Sequence, residues 1–191
     1  DVFGLVPILV ASWALGGLYL SLGPSVAASV FGLHSHLIGG LVVTLLCGTG
    51  AATAFVMRSR PVDRVLRIAA GLLAAGMVVT LAGVEAGAAG VAAAGTVVAG
   101  IGFGAAALGG FGTLARIAAP EERGELFAVV YIISYLAFSL PAVVAGFAST
   151  SVGLRPTALV YGLGVVGLGL AALGAQRALA TRRRRDCLVG S

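Results

Sequence analysis

The sequence predicts an all-α integral membrane protein built as a bundle of six transmembrane helices. Three observations carry that prediction. The 191 residues have a mean hydropathy of +1.09 and only 10% of them are charged, against about 25% in soluble domains. A soluble chain of this length leaves too much surface exposed to hide so much apolar area. Six runs are long enough to cross a hydrocarbon core, which takes about 20 mostly apolar residues. All twelve basic residues are arginines, and eleven of them fall in segments that six crossings put on one side. Helix is preferred over strand because each run outlasts a barrel strand and lacks period-two alternation. In lipid a single segment satisfies its own amides only by coiling.

The first span covers residues 3–22. Ser12, Gly16, Tyr19 and Gly23 recur along it at i, i+4, i+7 and i+11, a single stripe. Trp13 reads equally as facing lipid or substrate. Segment 23–36 holds Pro24 and reads either as a short interfacial helix or as an extension of the first span. Its His34 and His36 read as a solvated pair, because a metal site needs at least a third ligand. The second span, 37–57, carries Gly40, Thr44, Gly48 and Ala52 at four-residue spacing. The third, 65–83, ends near Glu85, read as a solvated loop carboxylate rather than a proton site.

The fourth span, 88–114, has Thr96, Gly100 and Gly104 in register, with Gly95, Gly102 and Ala106 nearby. Small residues let helices in lipid approach closely, and they also permit bending during a conformational cycle. The fifth, 126–149, repeats the stripe pattern with Tyr131, Tyr135, Phe138 and Ala142, flanked by Ser134 and Ser139. Pro141 interrupts it and frees a carbonyl near residue 137. Tyrosine hydroxyls at that depth need water, a substrate-bearing cavity or an interhelical partner, and the sequence leaves these open. The sixth span, 157–175, includes Gly167 and Ala171. Its Gly162 to Gly167 run matches G-x-G-x-x-G, but no strand precedes it, so the dinucleotide reading lacks its context.

The arginine loops set orientation. Arg58, Arg60, Arg64 and Arg67 follow span two, Arg116 and Arg123 follow span four, and five more follow span six. The positive-inside rule places these segments and both termini in the cytoplasm, as expected for a multi-pass protein of the cell membrane. Residues 1–176 form the expected bundle and 177–191 a basic cytoplasmic tail. Arg182 to Arg185 read as a topology anchor or as a docking site for anionic lipid, at about 1 kcal/mol per arginine. The pI near 10.0 does not point to nucleic acid, since the arginines sit between long apolar runs. No Asp, Glu, Lys, Arg or His lies near the middle of a span, so an ion relay is expected outside this chain. Cys47 and Cys187 sit in settings too different to pair. No catalytic constellation and no metal set is visible. The chain begins at Asp1 without an initiator Met and is expected to be a fragment.

The pattern resembles the major facilitator superfamily across nearly the whole chain. Three features carry the likeness: the order and length of the spans, the stretch Asp63-Arg64-Val65-Leu66-Arg67, and the run from Ala119 to Gly124 followed by Tyr131 to Gly146. The stretch from Asp63 to Arg67 resembles the family's D-R-x-G-R/K loop signature, with Leu66 in place of the glycine. The run from Ala119 onward is similar to the fourth-to-fifth loop and fifth span of many actinobacterial members. The resemblance implies the C-terminal half of a twelve-helix transporter, working by alternating access against an N-terminal six-helix half. It implies that spans one, two, four and five face a cavity while three and six lie outside.

Ser12, Tyr19, Thr44, Thr96, Tyr131, Ser134, Tyr135 and Phe138 are then the candidates for the substrate cavity. Gly100, Gly104 and Pro141 are candidates for packing or hinging, and Asp63, Arg64 and Arg67 for the cytoplasmic loop motif. The expected function is proton-coupled efflux of a small organic solute that is neutral, lipophilic or cationic, with a proton gradient and no cofactor. A six-helix scaffold or sensor domain, or a six-span carrier that dimerises, are the alternatives. An upstream set of six spans would separate them.

Overall fold

The computed structural model describes residues 5–117, 121 and 123–189, with side chains described except at residues 36, 179–180 and 182–189. The described residues form seven helices and no strand: α1 (Val6–Ser21), α2 (Gly23–Phe31), α3 (His36–Met57), α4 (Val62–Glu85), α5 (Ala89–Ile117), α6 (Arg123–Ser151) and α7 (Leu154–Val189). Five of them, α3 to α7, are long and apolar enough to cross a membrane, and the count reaches six if α1 and α2 are taken as one bent span. Alone, the 16 residues of α1 rise only about 24 Å, short of a hydrocarbon core about 30 Å thick.

The bend explains segment 23–36. The chain stays helical beyond Leu22 but turns by 52°. Pro24 lies in the first turn of α2, where its ring clashes with the carbonyl four residues back and its missing N–H breaks the ladder. Gly32, at φ 68°, then ends α2 in the left-handed region open to glycine. Two element ends differ from expectation. α4 starts at Val62, so Asp63, Arg64 and Arg67 stand on its first two turns and not in a loop. α7 runs without a break from the sixth span through the basic tail to Val189.

α4 and α5 form the tightest pair, antiparallel and nearly backbone to backbone. Gly83 faces Ala92, Gly95 faces Thr80, Gly76 faces Ala99, Gly102 faces Leu73, and Gly109 faces Leu66. Four of these glycines sit so close to facing backbone that an added Cβ would overlap it. In lipid such close approach is what holds helices together, because the tails outside are as apolar as the side chains inside. Gly100 and Gly104 lie on another side of α5 and meet Leu46, Thr49 and Gly50 of the parallel helix α3. Both lie close against α3.

The partner stripe on α3 is a correction. Gly40, Thr44, Gly48 and Ala52 do not form its packing face: none of them is buried, and a Cβ on Gly40 or Gly48 would meet nothing within 4 Å. The face that packs carries Leu46, Gly50 and Thr53, all buried. Gly104 of α5 selects it: a Cβ there would overlap the Gly50 backbone, so glycine on α5 lets this face of α3 close up.

Helices α3, α5, α1 and α6 follow one another as packing neighbours, and α4 and α7 pack on each other behind them. α2 rests on α3, α1 and α7 at the end remote from the arginine loops. Burial follows this order. Half of the apolar window of α5 is buried, but only 17% of that of α3 and 11% of that of α6. The two outer members of the row therefore present long open faces.

Candidate functional site

Two groups of polar and aromatic side chains stand out, and the structure keeps them apart. The first is internal. Tyr19 of α1 is buried, and its hydroxyl lies 3.0 Å from Thr80 Oγ1 of α4 and 2.9 Å from Thr96 Oγ1 of α5. Thr80 also donates to the Gly76 carbonyl at 3.0 Å, and Thr96 to the Ala92 carbonyl at 2.9 Å. Three helices are thus tied by one tyrosine. Gly95 permits the cluster, because it lets Thr80 press against α5. For Tyr19 the choice between water and an interhelical partner is resolved in favour of the partner.

The second group is open. Along α6, Phe127, Tyr131, Tyr135 and Phe138 share one face, and rings from neighbouring helices extend them into a ladder. Phe111 of α5 stacks on Phe127 at 6.4 Å between centroids and tilts against Tyr131 at 5.8 Å. Tyr131 stacks on Tyr135 at 6.3 Å. Trp13 of α1 then contacts Tyr135 at 5.9 Å and meets Phe138 edge-on at 6.3 Å. Such tilted and edge-to-face pairs are favoured by the ring quadrupoles. Tyr131 and Tyr135 remain 44% and 60% exposed, although both lie within a span. A Cβ on Gly16 would touch the rings of Phe103 and Phe138, so this glycine seats them against α1.

The remaining candidates distribute as follows. Ser12 is buried on α1 and Ser134 on α6. The Ser134 Oγ has no hydrogen-bond partner among the described residues, a cost of about 1–3 kcal/mol for a buried hydroxyl. Thr44 is exposed on α3 and belongs to neither group. Pro141 lies inside α6, which continues through it as helix. Close by, Gly17 lets the α1 backbone approach the Phe138 carbonyl, and Tyr161 of α7 donates to the Ala14 carbonyl at 2.9 Å.

At the basic end, Asp63 occupies the first turn of α4, where a carboxylate is favoured by that helix's own dipole. Leu66 is buried against Gly109. Arg123 donates to the Ala115 carbonyl at 3.2 Å, closing the last turn of α5. Of the run Ala119 to Gly124, Ala119, Pro120 and Glu122 lie outside the described residues, as do the side chains of Arg182 to Arg185. At the opposite end Arg155 pairs with the Glu85 carboxylate at 3.4 Å and also donates to the Glu85 carbonyl. Glu85 is therefore an ion-pair partner that fastens α4 to α7. The G-x-G-x-x-G run lies within α7, where Gly162 packs on Met77 and Leu81.

Sequence reasoning misses Thr80, Phe111 and Tyr161. Thr80 carries a weak signal as a lone hydroxyl in the third span. Phe111 and Tyr161 have none, because their roles depend on which helix lies beside them.

These features define an all-helical protein with five or six helices able to span a membrane, bearing an open aromatic face on α1, α5 and α6. No known protein family, curated protein or solved structure matches the chain.

Proposed function

We propose that the chain is one six-helix bundle of a secondary transporter, and that the row α3–α5–α1–α6 lines the solute path. The observation that carries this reading is the exposed ladder with Tyr131 and Tyr135 at its centre. Ring faces suit lipid, but a phenol hydroxyl facing hydrocarbon lacks a partner, a cost of a few kcal/mol. Water or a solute supplies the partner if this face borders an aqueous cleft. A second six-helix bundle, from the same chain or another, closes the cleft along the open faces of α3 and α6. The ladder suits a small lipophilic or cationic organic solute, since stacked rings attract cations as well as apolar groups. The ladder residues themselves carry no charge, so coupling to a proton gradient, and net efflux, draw on the second bundle. The arginine-rich end is assigned to the cytoplasm of a cell membrane by the positive-inside rule.

Cysteine accessibility tests this reading. Cys47 and Cys187 are first replaced by serine, and single cysteines are placed at Tyr131, Tyr135, Val144 and Val160. The two tyrosine positions are expected to react with a membrane-impermeant maleimide in intact membranes, and a small organic cation is expected to slow the reaction. Val144 and Val160, both exposed but apolar, are expected to stay unlabelled. Equal labelling at all four, or none at the tyrosine sites, removes the cleft. A complete transporter carrying Tyr135→Ala is further expected to lose solute affinity in proteoliposomes.

A further inference from the structure

A cavity of about 510 Å³ lies at the end of the bundle remote from the arginine loops, apart from the aromatic ladder. The α1–α2 bend forms one wall with Val26. Leu41 of α3 and Leu81 of α4 form others, and Tyr19, Thr80 and Thr96 complete the lining. Its volume falls in the range of small-ligand sites, about 300–1,000 Å³. Among the described residues no charged side chain lines it, so an ionised ligand would meet a desolvation cost with nothing there to offset it.

Proton counting in the cluster specifies the polar end of the ligand. Tyr19, Thr80 and Thr96 make four close contacts, two between hydroxyls and two to the carbonyls of Gly76 and Ala92. Three hydroxyls carry three protons, so every proton is used inside the cluster and one contact always lacks one. Lone pairs are in surplus. The cluster can accept a further hydrogen bond at no cost, but donating one would break a bond it already has.

We propose that this cavity binds a single hydrocarbon chain with an uncharged hydroxyl head, the head donating to the Tyr19–Thr80–Thr96 cluster. Long-chain alcohols and monoacylglycerols have that chemistry. A phosphatidylcholine does not, since it lacks a hydroxyl donor. The site is separate from the proposed cleft and stands whether or not the protein transports.

The test is photolabelling of the full chain in nanodiscs, with 1-dodecanol bearing a diazirine and, in parallel, phosphatidylcholine bearing the same group on its tail. The alcohol is expected to concentrate on Val26, Leu41 and Leu81, and the phospholipid to mark lipid-facing Phe147 of α6 instead. Two substitutions on the α5 wall, Gly90→Leu and Ala93→Phe, fill the space; a Cβ on Gly90 meets nothing within 4 Å. They are expected to lower alcohol labelling at Leu81 about tenfold by removing the volume for the chain. Leu41→Trp repeats the test from the opposite wall should either α5 variant fail to fold. Tyr19→Phe is expected to lower labelling about two- to tenfold, the range for one hydrogen bond. Equal labelling of the cavity by phospholipid and alcohol overturns the proposal, as does labelling no denser at Leu81 than at Phe147. Insensitivity to the filling substitutions does so too.

Discussion

Adding one methyl group to α4 should have opposite effects at two positions five residues apart. At Gly76 a Cβ would lie 2.6 Å from the Ala99 Cα and 2.8 Å from the Val98 carbonyl carbon, both backbone atoms of α5. Carbon atoms rest at about 3.5–4.0 Å, so α4 and α5 must separate by roughly 1 Å. A gap of that size forfeits a quarter to a half of each contact it opens. Neighbouring close approaches at Gly83, Gly95 and Gly102 share the same seam and loosen with it. Overpacking of this kind costs about 1–3 kcal/mol. At Gly71 a Cβ meets nothing within 4 Å, and replacing glycine within a helix gains up to about 1 kcal/mol. That gain is common to both substitutions, so Gly76→Ala is expected to be about 1–3 kcal/mol less stable than Gly71→Ala. Reversible unfolding in mixed dodecyl maltoside and SDS micelles, followed by circular dichroism and by the single tryptophan, Trp13, measures the difference. If the two variants unfold at the same SDS fraction, the close α4–α5 seam is not present in the folded protein.

Further expectations follow from single contacts. Tyr19→Phe should cost only about 0.6 kcal/mol and no more than about 1.7 in the same titration, because Thr80 and Thr96 keep their own carbonyl partners; a larger loss would show the cluster to be more than a local tie. Leu66→Gly empties a buried site beside Gly109. It is expected to destabilise by about 3 kcal/mol or more, read from the shift in SDS midpoint. Arg155→Gln removes an ion pair whose side chains are 46% and 56% exposed; the expected change is under about 1 kcal/mol and smaller still in high salt.

Several features are legible in the chain alone. The long apolar runs set the helices. The small residues of the fourth span mark it as a close-packing helix, and the stripe at Tyr131, Tyr135 and Phe138 marks one face of the fifth. Other features cannot be read this way. On α3 the small-residue stripe Gly40/Thr44/Gly48/Ala52 stands out in the sequence, but Leu46, Gly50 and Thr53 form the face that packs. The choice is made by the close approach of Gly104, a residue of another helix. Ser12 and Tyr19 sit on a polar stripe that periodicity would equally assign to an open face, yet both are buried.

The sequence by itself determined the long apolar segments and their helical state. Those properties follow from local chemistry: an amide in hydrocarbon must be satisfied within its own segment, whatever its neighbours do. Tertiary structure alone decided the α4–α5 register, the partner of Tyr19, the ladder from Phe127 to Trp13 and the apolar cavity beneath α2. Each depends on which faces of separate helices meet. In a chain with 30 glycines, many faces are small enough to meet, and only the packing of all the helices together selects among them.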